Sequence, residues 1–476
     1  MSPLKLWLIV PLVFAAPALA QGTTPLVFAY YFLANSTYGF SQANYQQDIA
    51  DAQALGIDGF VVAAGAWSSQ PGNYPVWAAS MFAAAATSAN NADGTKFKLF
   101  MSAEVGGGAS GIAMADVRGM VNTFKGTGPA SGTGVGSGNY YWYAGKPMLT
   151  TSSGEKGQDN TTGDSAAGQA YWESVFSGGF TASFYPYFIT RRPSGGQVNT
   201  DNPTYAQIAA DWNTNYSWWP NVVNGLAYFA TDGLPLNPDG STGNLITSQE
   251  AYAQLMRENS RLYIAGLSSY YSHSSNVGYI VAVERYGGEG IAAQWASIIN
   301  TQKPPWVILY TWNDMGETYM TPASMSWANS FYAQYPMLYS HIGMAQLNAY
   351  FIDWFKNSRQ PTVASDKLFY FYRTHSKNLT PPRRTVRTAF YNFLDDIFVT
   401  TILTAPATLR VTSGRNVTDT AVASGLAHTR IPFRTGAQNI KLIRDGNTLI
   451  NLDGDPILSS ITAYNMNPTT GYGSYP

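Results

Sequence analysis

Trp306-Val-Ile-Leu-Tyr-Thr-Trp-Asn-Asp-Met-Gly-Glu317 decides how this chain folds, because a continuous apolar run ends there in two carboxylates, Asp314 and Glu317, three residues apart. Trp306 to Tyr310 is too short for a helix and too apolar for a half-exposed strand. Pro304 and Pro305 precede it and Gly316 follows. The run is predicted to be a buried barrel strand. The two acids then stand in the loop at its C-terminal end, the edge where barrels of alternating strands and helices place their chemistry.

Working back from that stretch, the same unit recurs. Leu26 to Phe32 reads as the first strand, and Ser41 caps a helix whose Tyr45, Ile49, Ala52 and Leu55 share one face before Gly56 stops it. Further strands are expected over Gly59 to Ala63, Leu99 to Ala103, Pro147 to Thr151, Thr181 to Phe188, Gly225 to Phe229 and Leu262 to Ala265. With Trp306 to Tyr310 that makes eight, separated by helical patterns and by an insertion holding Trp212, Trp218 and Trp219. Eight alternating units predict an α/β fold, a (β/α)8 TIM barrel. The competing open sheet would need a phosphate-binding glycine turn, and Gly106-Gly-Gly108 lacks the G-x-G-x-x-G spacing.

After Pro361 the pattern changes to short runs rich in β-branched and aromatic residues, Leu368 to Tyr372, Ile397 to Leu403 and Thr408 to Val411, and Asp445-Gly446 is a tight hairpin signal. The expected division is a signal peptide over 1–20, the barrel over 21–360, and a β-sandwich over 361–476. Lys5, the apolar run from Leu6 to Ala16 and Ala18-Leu-Ala20 carry the first of these expectations, which makes the product secreted, or periplasmic in a bacterial host. Beyond them no stretch reaches the roughly 20 apolar residues of a membrane helix, so no membrane insertion is expected.

Composition narrows the partner. Of the 476 residues only 12% are charged, while 14% are aromatic, with 32 Tyr and 13 Trp, and the formal net charge is -1. Without basic clusters the chain is not expected to bind nucleic acid. The absence of cysteine removes thiolate chemistry, and the four histidines show no metal-binding spacing. No metal and no cofactor is expected, and the ligand is read as neutral.

Cleaving a glycosidic bond takes one carboxylic acid to protonate the leaving oxygen and a second carboxylate to activate water or attack the sugar carbon. Asp314 and Glu317 supply that pair if they face one side of a helical turn. An acidic pair at a helix N-terminus, stabilising its dipole, is the commoner meaning of such spacing taken alone. The aromatic surroundings shift the balance. Sugars stack on rings and hydrogen-bond through their hydroxyls, and Trp67, Tyr187, Tyr270 and Trp312 are the candidate rings, although Trp and Tyr are more often core. Glu104 and Asp232, at the ends of two other strands, are reserve acids, and Glu284 and Glu289 read as solvated or structural.

Four stretches carry a resemblance to a known family: Phe28-Ala-Tyr-Tyr31 with Tyr38-Gly-Phe40 and Asp48, Gly56-Ile-Asp-Gly-Phe60, Thr311-Trp-Asn-Asp-Met-Gly-Glu317, and Pro361 with Phe371-Tyr-Arg-Thr-His375. Through them the chain resembles glycoside hydrolase family 71, the α-1,3-glucanases or mutanases, over most of its length. The resemblance implies an inverting hydrolase of α-1,3-glucan, a neutral polysaccharide, with Asp314 and Glu317 as the catalytic pair, one the base and the other the acid. Asp314 is assigned as base and Glu317 as acid. The candidate substrate contacts are Glu104, Asp232, Trp312, Asn313, Tyr30, Trp67, Tyr187 and Tyr270. Glu104 stands where relatives often carry Asp, and the stretch Tyr228 to Asp232 departs from the family pattern. Two other readings stay open, a hydrolase of another α-glycan and a catalytically silent glycan-binding protein.

Overall fold

The computed structural model describes residues 24–67, 73–104, 112, 114–126, 139–152, 170, 172–173, 181–185, 205–215, 224–229, 236, 244–274, 279–316, 318–321, 338–381, 387–391, 393–462 and 464–476. Eight parallel strands form its first layer: β1 (Leu26–Phe32), β2 (Gly59–Ala64), β3 (Lys98–Glu104), β4 (Lys146–Ser152), β5 (Thr181–Tyr185), β6 (Gly225–Ala227), β7 (Leu262–Ser268) and β8 (Trp306–Tyr310). Each pairs in parallel with the next, and β8 pairs with both β7 and β1, which closes the ring. These are the eight strands expected from the sequence. Strands covered on both faces need apolar residues throughout rather than alternation, and β2, β7 and β8 are buried along their whole length.

The helices α1 (Gln42–Ala54), α2 (Tyr74–Thr87), α3 (Met114–Phe124), α4 (Tyr205–Asn215), α5 (Asn244–Glu258) and α6 (Gly288–Ser297) lie between the strands. Ser41 caps α1 as expected, accepting the Asn44 N–H at 3.2 Å. The insertion between the fifth and sixth strands, to which the sequence assigns no element, contains the helix α4. A seventh helix, α7 (Ile342–Asn357), was also not anticipated.

The C-terminal part is two antiparallel sheets, as expected. In chain order the strands of these two sheets are β9 (Asp366–Tyr372), β10 (Asp396–Leu403), β11 (Ala407–Ser413), β12 (Asn416–Val422), β13 (Gly425–Pro432), β14 (Gly436–Arg444), β15 (Asn447–Ile457) and β16 (Thr469–Tyr475). One sheet runs β13-β10-β9-β16 and the other β12-β11-β14-β15. The Asp445-Gly446 turn between β14 and β15 has both residues at positive φ, the two-residue hairpin geometry that suits the strand twist. Along β9 and β10 the side chains alternate. Leu368, Tyr370, Ile397 and Val399 face the opposite sheet, while Phe369, Phe371, Phe398 and Ile402 belong to the same apolar core as the barrel.

Candidate active site

At the end of β8 the peptide Tyr310–Thr311 is cis, and from there the chain is tied to β1 by backbone and side chain alike. The Trp312 N–H donates to Tyr30 O at 2.7 Å. Asn313 Oδ1 accepts the Phe32 N–H at 2.8 Å, and its Nδ2 donates to Phe32 O and Asn35 O, each at 3.0 Å. With both donors and one acceptor lone pair used, Asn313 is a clamp between two strand ends.

Asp314 follows in a short hairpin. Asn313–Asp314 pairs antiparallel with Thr318–Tyr319, Asn313 opposite Tyr319 and Asp314 opposite Thr318. This corrects the helical-turn reading of the segment, and with it the argument that residues three apart face one side. Thr311 knits the hairpin together. Its hydroxyl accepts the Asp314 N–H at 2.8 Å and donates to Thr318 O. Asp314 Oδ1 in turn accepts the Gly316 N–H at 3.2 Å, and the side chain stays partly exposed.

Trp312 was expected to offer a ring to a ligand, and the structure corrects that. It is fully buried, packed on Phe60 with ring centroids 5.5 Å apart, and its Nε1–H donates to Asp48 Oδ1 at 2.8 Å. A buried ring has no face to stack on a sugar. Asn313 is also fully buried, and its amide is already taken by Phe32 and Asn35, so it too is corrected from a substrate contact. Asp48 takes a second bond, from the Tyr31 hydroxyl at 2.8 Å. Burial pushes its carboxyl up to about 7, against the pull of those two donors. The sequence signal for Asp48 was a carboxylate on the apolar face of α1, in line with Tyr45, Ile49 and Ala52.

Across the barrel mouth, Glu104 ends β3 and is partly exposed. The Tyr30 hydroxyl donates to Glu104 Oε1 at 3.2 Å and lies 3.0 Å from Ser102 Oγ. The Tyr30 ring itself is enclosed by Phe32, Phe229 and Tyr310 at 5.2, 6.0 and 5.4 Å. Tyr30 is thus corrected from a substrate contact to a residue that orients Glu104. Trp67 is 6% exposed and stands edge-on to Phe124 of α3, so it too belongs to the core.

Tyr270, just past β7, is 4% exposed, and its hydroxyl accepts the Tyr319 N–H at 3.2 Å. Burial holds this phenol well above its ordinary value, and the charges of Tyr319 and Asp314 push the same way. Tyr270 therefore keeps its proton beside the Asp314 carboxylate. Glu317, Asp232 and Tyr187 lie outside the described residues.

The structure thus places Asp314, Glu104 and the Tyr270 hydroxyl on the C-terminal rim, with an aromatic floor of Tyr30, Tyr310 and Phe229 beneath them. Glu284 and Glu289 are structural. Glu284 lies 3.7 Å from Arg373, and Glu289 makes two bonds of 2.8 Å to Arg430. Among the described residues no three His, Cys, Asp or Glu side chains stand together as a metal site.

The family model for glycosyl hydrolase family 71 matches residues 23–475. The chain is 26% identical over 479 residues to the glucan endo-1,3-alpha-glucosidase agn1 of Schizosaccharomyces pombe, covering 98% of this chain and 99% of that one. It is 24% identical to the ascus wall endo-1,3-alpha-glucanase of the same yeast, over 92% of this chain and 95% of that one. A mutanase of Penicillium rubens is 29% identical over 218 residues, 44% of this chain and 48% of the mutanase.

Proposed function

This chain belongs to glycosyl hydrolase family 71, and from that premise we propose that it is an exported enzyme that cleaves α-1,3-glucosidic bonds inside α-1,3-glucan with inversion at the anomeric carbon. Asp314 is the base and Glu317 the acid. The observation that carries the reading is the placement of Asp314: a half-buried carboxylate at the C-terminal mouth of a closed barrel, on a hairpin immobilised by Thr311, Asn313 and Trp312.

In the proposed reaction Asp314 takes a proton from a water, whose oxygen attacks the anomeric carbon from the face opposite the departing sugar. Glu317 gives its proton to the leaving oxygen, and the attacked sugar ends as the β-anomer. Inversion needs about 6.5–9.5 Å between the two carboxyl groups to admit that water. The neighbouring Tyr270 hydroxyl, buried at the hairpin, is suited to donate to Asp314, and the partly exposed Glu104, steadied by Tyr30, accepts from sugar hydroxyls. Low charge suits a neutral polymer. Removal of residues 1–20 on export is part of the same proposal.

The test is to incubate the mature chain with insoluble α-1,3-glucan beside α-1,4-glucan, β-1,3-glucan and α-mannan, and to follow reducing ends and product anomers by NMR. Cleavage of α-1,3-glucan with β-anomers first is expected. Cleavage of another α-glycan instead, or binding without cleavage, would replace this reading. Asp314→Asn is expected to lower kcat by roughly 10²- to 10⁴-fold with the fold intact, as loss of a general base does. Glu104→Gln should instead weaken kcat/KM about tenfold, the cost of one hydrogen bond to substrate. A larger loss in Glu104→Gln than in Asp314→Asn would move the base to Glu104.

A further inference from the structure

The hairpin that carries Asp314 is joined to the C-terminal sheets through a short run of residues that the proposed chemistry does not use. His341 stands just before α7 and is completely buried. Its ring stacks on Tyr319 with centroids 4.0 Å apart and planes 13° from parallel, and the Tyr270 ring meets it edge-on at 5.1 Å. His341 Nδ1 lies 2.6 Å from Tyr319 O, in the hairpin, and Nε2 lies 3.0 Å from Pro468 O, at the entry to β16. A neutral imidazole donates to one of these carbonyls and an imidazolium to both.

Two flanking connections run the same way. Thr470 Oγ1, on β16, donates to Ser340 O and accepts the Gly343 N–H, both at 3.1 Å. The Tyr319 hydroxyl donates to Tyr339 O at 2.9 Å, and the Tyr339 hydroxyl shares a 3.0 Å bond with Thr374 Oγ1, just past β9. Residues 339–343 are therefore bonded on one side to the strand opposite Asn313 and Asp314, and on the other to β16 and to Thr374 just past β9. Side chains in direct contact, as His341 is with Tyr319, transmit displacement rather than absorb it. A shift of β16 relative to the barrel would move Tyr319, and with it the paired strand Asn313–Asp314 and the bond to the Tyr270 hydroxyl.

We propose that the C-terminal sheets are a positioning element of the active site, acting through His341, which is held between Pro468 and Tyr319 and sets where the Asp314 hairpin stands. His341 is a positioning residue in this scheme. The proposal rests on the reading of Asp314 as the catalytic base, and its test is built to be separable from that reading.

The full-length mature chain and its His341→Ala, His341→Gln and Thr470→Val variants would be compared in two ways. Hydrogen–deuterium exchange of the 313–321 amides needs no substrate, and kcat and KM on a soluble α-1,3-linked glucose oligomer read the chemistry. Faster hairpin exchange is expected in His341→Ala and Thr470→Val, with kcat falling about 10- to 100-fold, as a displacement near 1 Å does. KM should stay within about twofold because no substrate contact is removed. His341→Gln, which keeps a donor, should recover part of the loss. If His341→Ala does not fold, the other two variants decide. Wild-type exchange in the folded variants overturns the proposal, and so does faster exchange with unaltered kcat. A wild-type protein that leaves α-1,3-linked substrate intact refutes the functional reading instead, and hairpin exchange still decides the link.

Discussion

Trp312 matters to the site through the far end of its indole, which stops on Asp48, a carboxylate on a different element and 264 positions earlier in the chain. Asp48 and His341 are the two fully buried ionisable groups that hold the hairpin, and burial shifts them in opposite senses. Asp48 rises from near 4 in an unfolded chain to about 7, so the folded state holds the extra proton between those values. Its contribution is present at low pH and is lost as pH rises through about 7. His341 falls from its usual value near 6.5 to about 4 because burial disfavours the cation. Its contribution is present above about 6.5 and is lost as pH falls through about 4. Urea titrations between pH 4 and 7 should therefore show the stability of Asp48→Asn, relative to wild type, climbing with pH. That of His341→Gln should fall, each by at most about 1.4 kcal/mol per pH unit. Parallel profiles for all three proteins would show that neither group is shifted as described. Asp48 was visible in the sequence only as an acid on an apolar helix face, and His341 carried no signal, since its partners lie in the hairpin and in β16.

At the scale of elements, the barrel strands and the first helix follow from local chemistry. Ser41 and the Tyr45, Ile49, Ala52 stripe specify α1, and Ser41→Ala should cost about 1 kcal/mol in denaturant titrations, the usual worth of an N-cap. Gly266 in β7 makes a contrasting prediction. A Cβ there would lie 2.0 Å from Tyr228 O on the neighbouring strand segment, so Gly266→Ala must push backbone apart. It is expected to cost several times as much as Ser41→Ala, or to abolish folding; equal costs would mean the strands yield freely. The hairpin after β8 was misread as a helical turn because its geometry is set by Thr311, Phe32 and Asn35, not by the Met315-Gly316 pair within it. The helix α7 escaped for another reason. It lies between barrel and sheets and is buried along several sides, from Met344 and Leu347 to Tyr350 and Ile352. Such a helix lacks the single apolar stripe that marks an amphipathic one.

For the whole molecule, the outer face of the β9-β10 sheet is part of the barrel's core. Phe369, Phe371 and Phe398 pack there, and the half-buried Glu289–Arg430 pair crosses the same seam, with the Arg430 guanidinium 4.9 Å from the Tyr286 ring centre. Arg373 is similarly placed between Glu284 at 3.7 Å and Asp395 at 2.9 Å. Backbone pairing crosses the seam as well, since Tyr279–Val283 runs parallel to Arg387–Tyr391. Calorimetry of the full chain should accordingly show one cooperative transition, and residues 21–360 expressed alone should fail to fold, because cutting there exposes apolar area that no barrel element covers. Two separate transitions, or a well-folded barrel fragment, would show that the sheets are an appended module.

The sequence by itself determined the eight-stranded barrel, the C-terminal β-structure, the Asp445-Gly446 turn and the placing of Asp314 at the C-terminal end of the last barrel strand. All of these depend on side-chain period, chain-reversing residues and position within a strand, which are properties of neighbouring residues. The tertiary structure alone decided which aromatic and polar residues around Asp314 are core: Trp312 and Tyr30 face inward, Asn313 is a clamp, and Tyr270 keeps its hydroxyl at the hairpin. It also decided that Asp48 and His341 brace the hairpin from two directions. Those roles are set by contacts between segments far apart in the chain, such as Asn313 with Asn35 and His341 with Pro468. Whether a tyrosine or a carboxylate serves the core or the ligand depends on what packs over it, and the covering residues come from elsewhere in the fold.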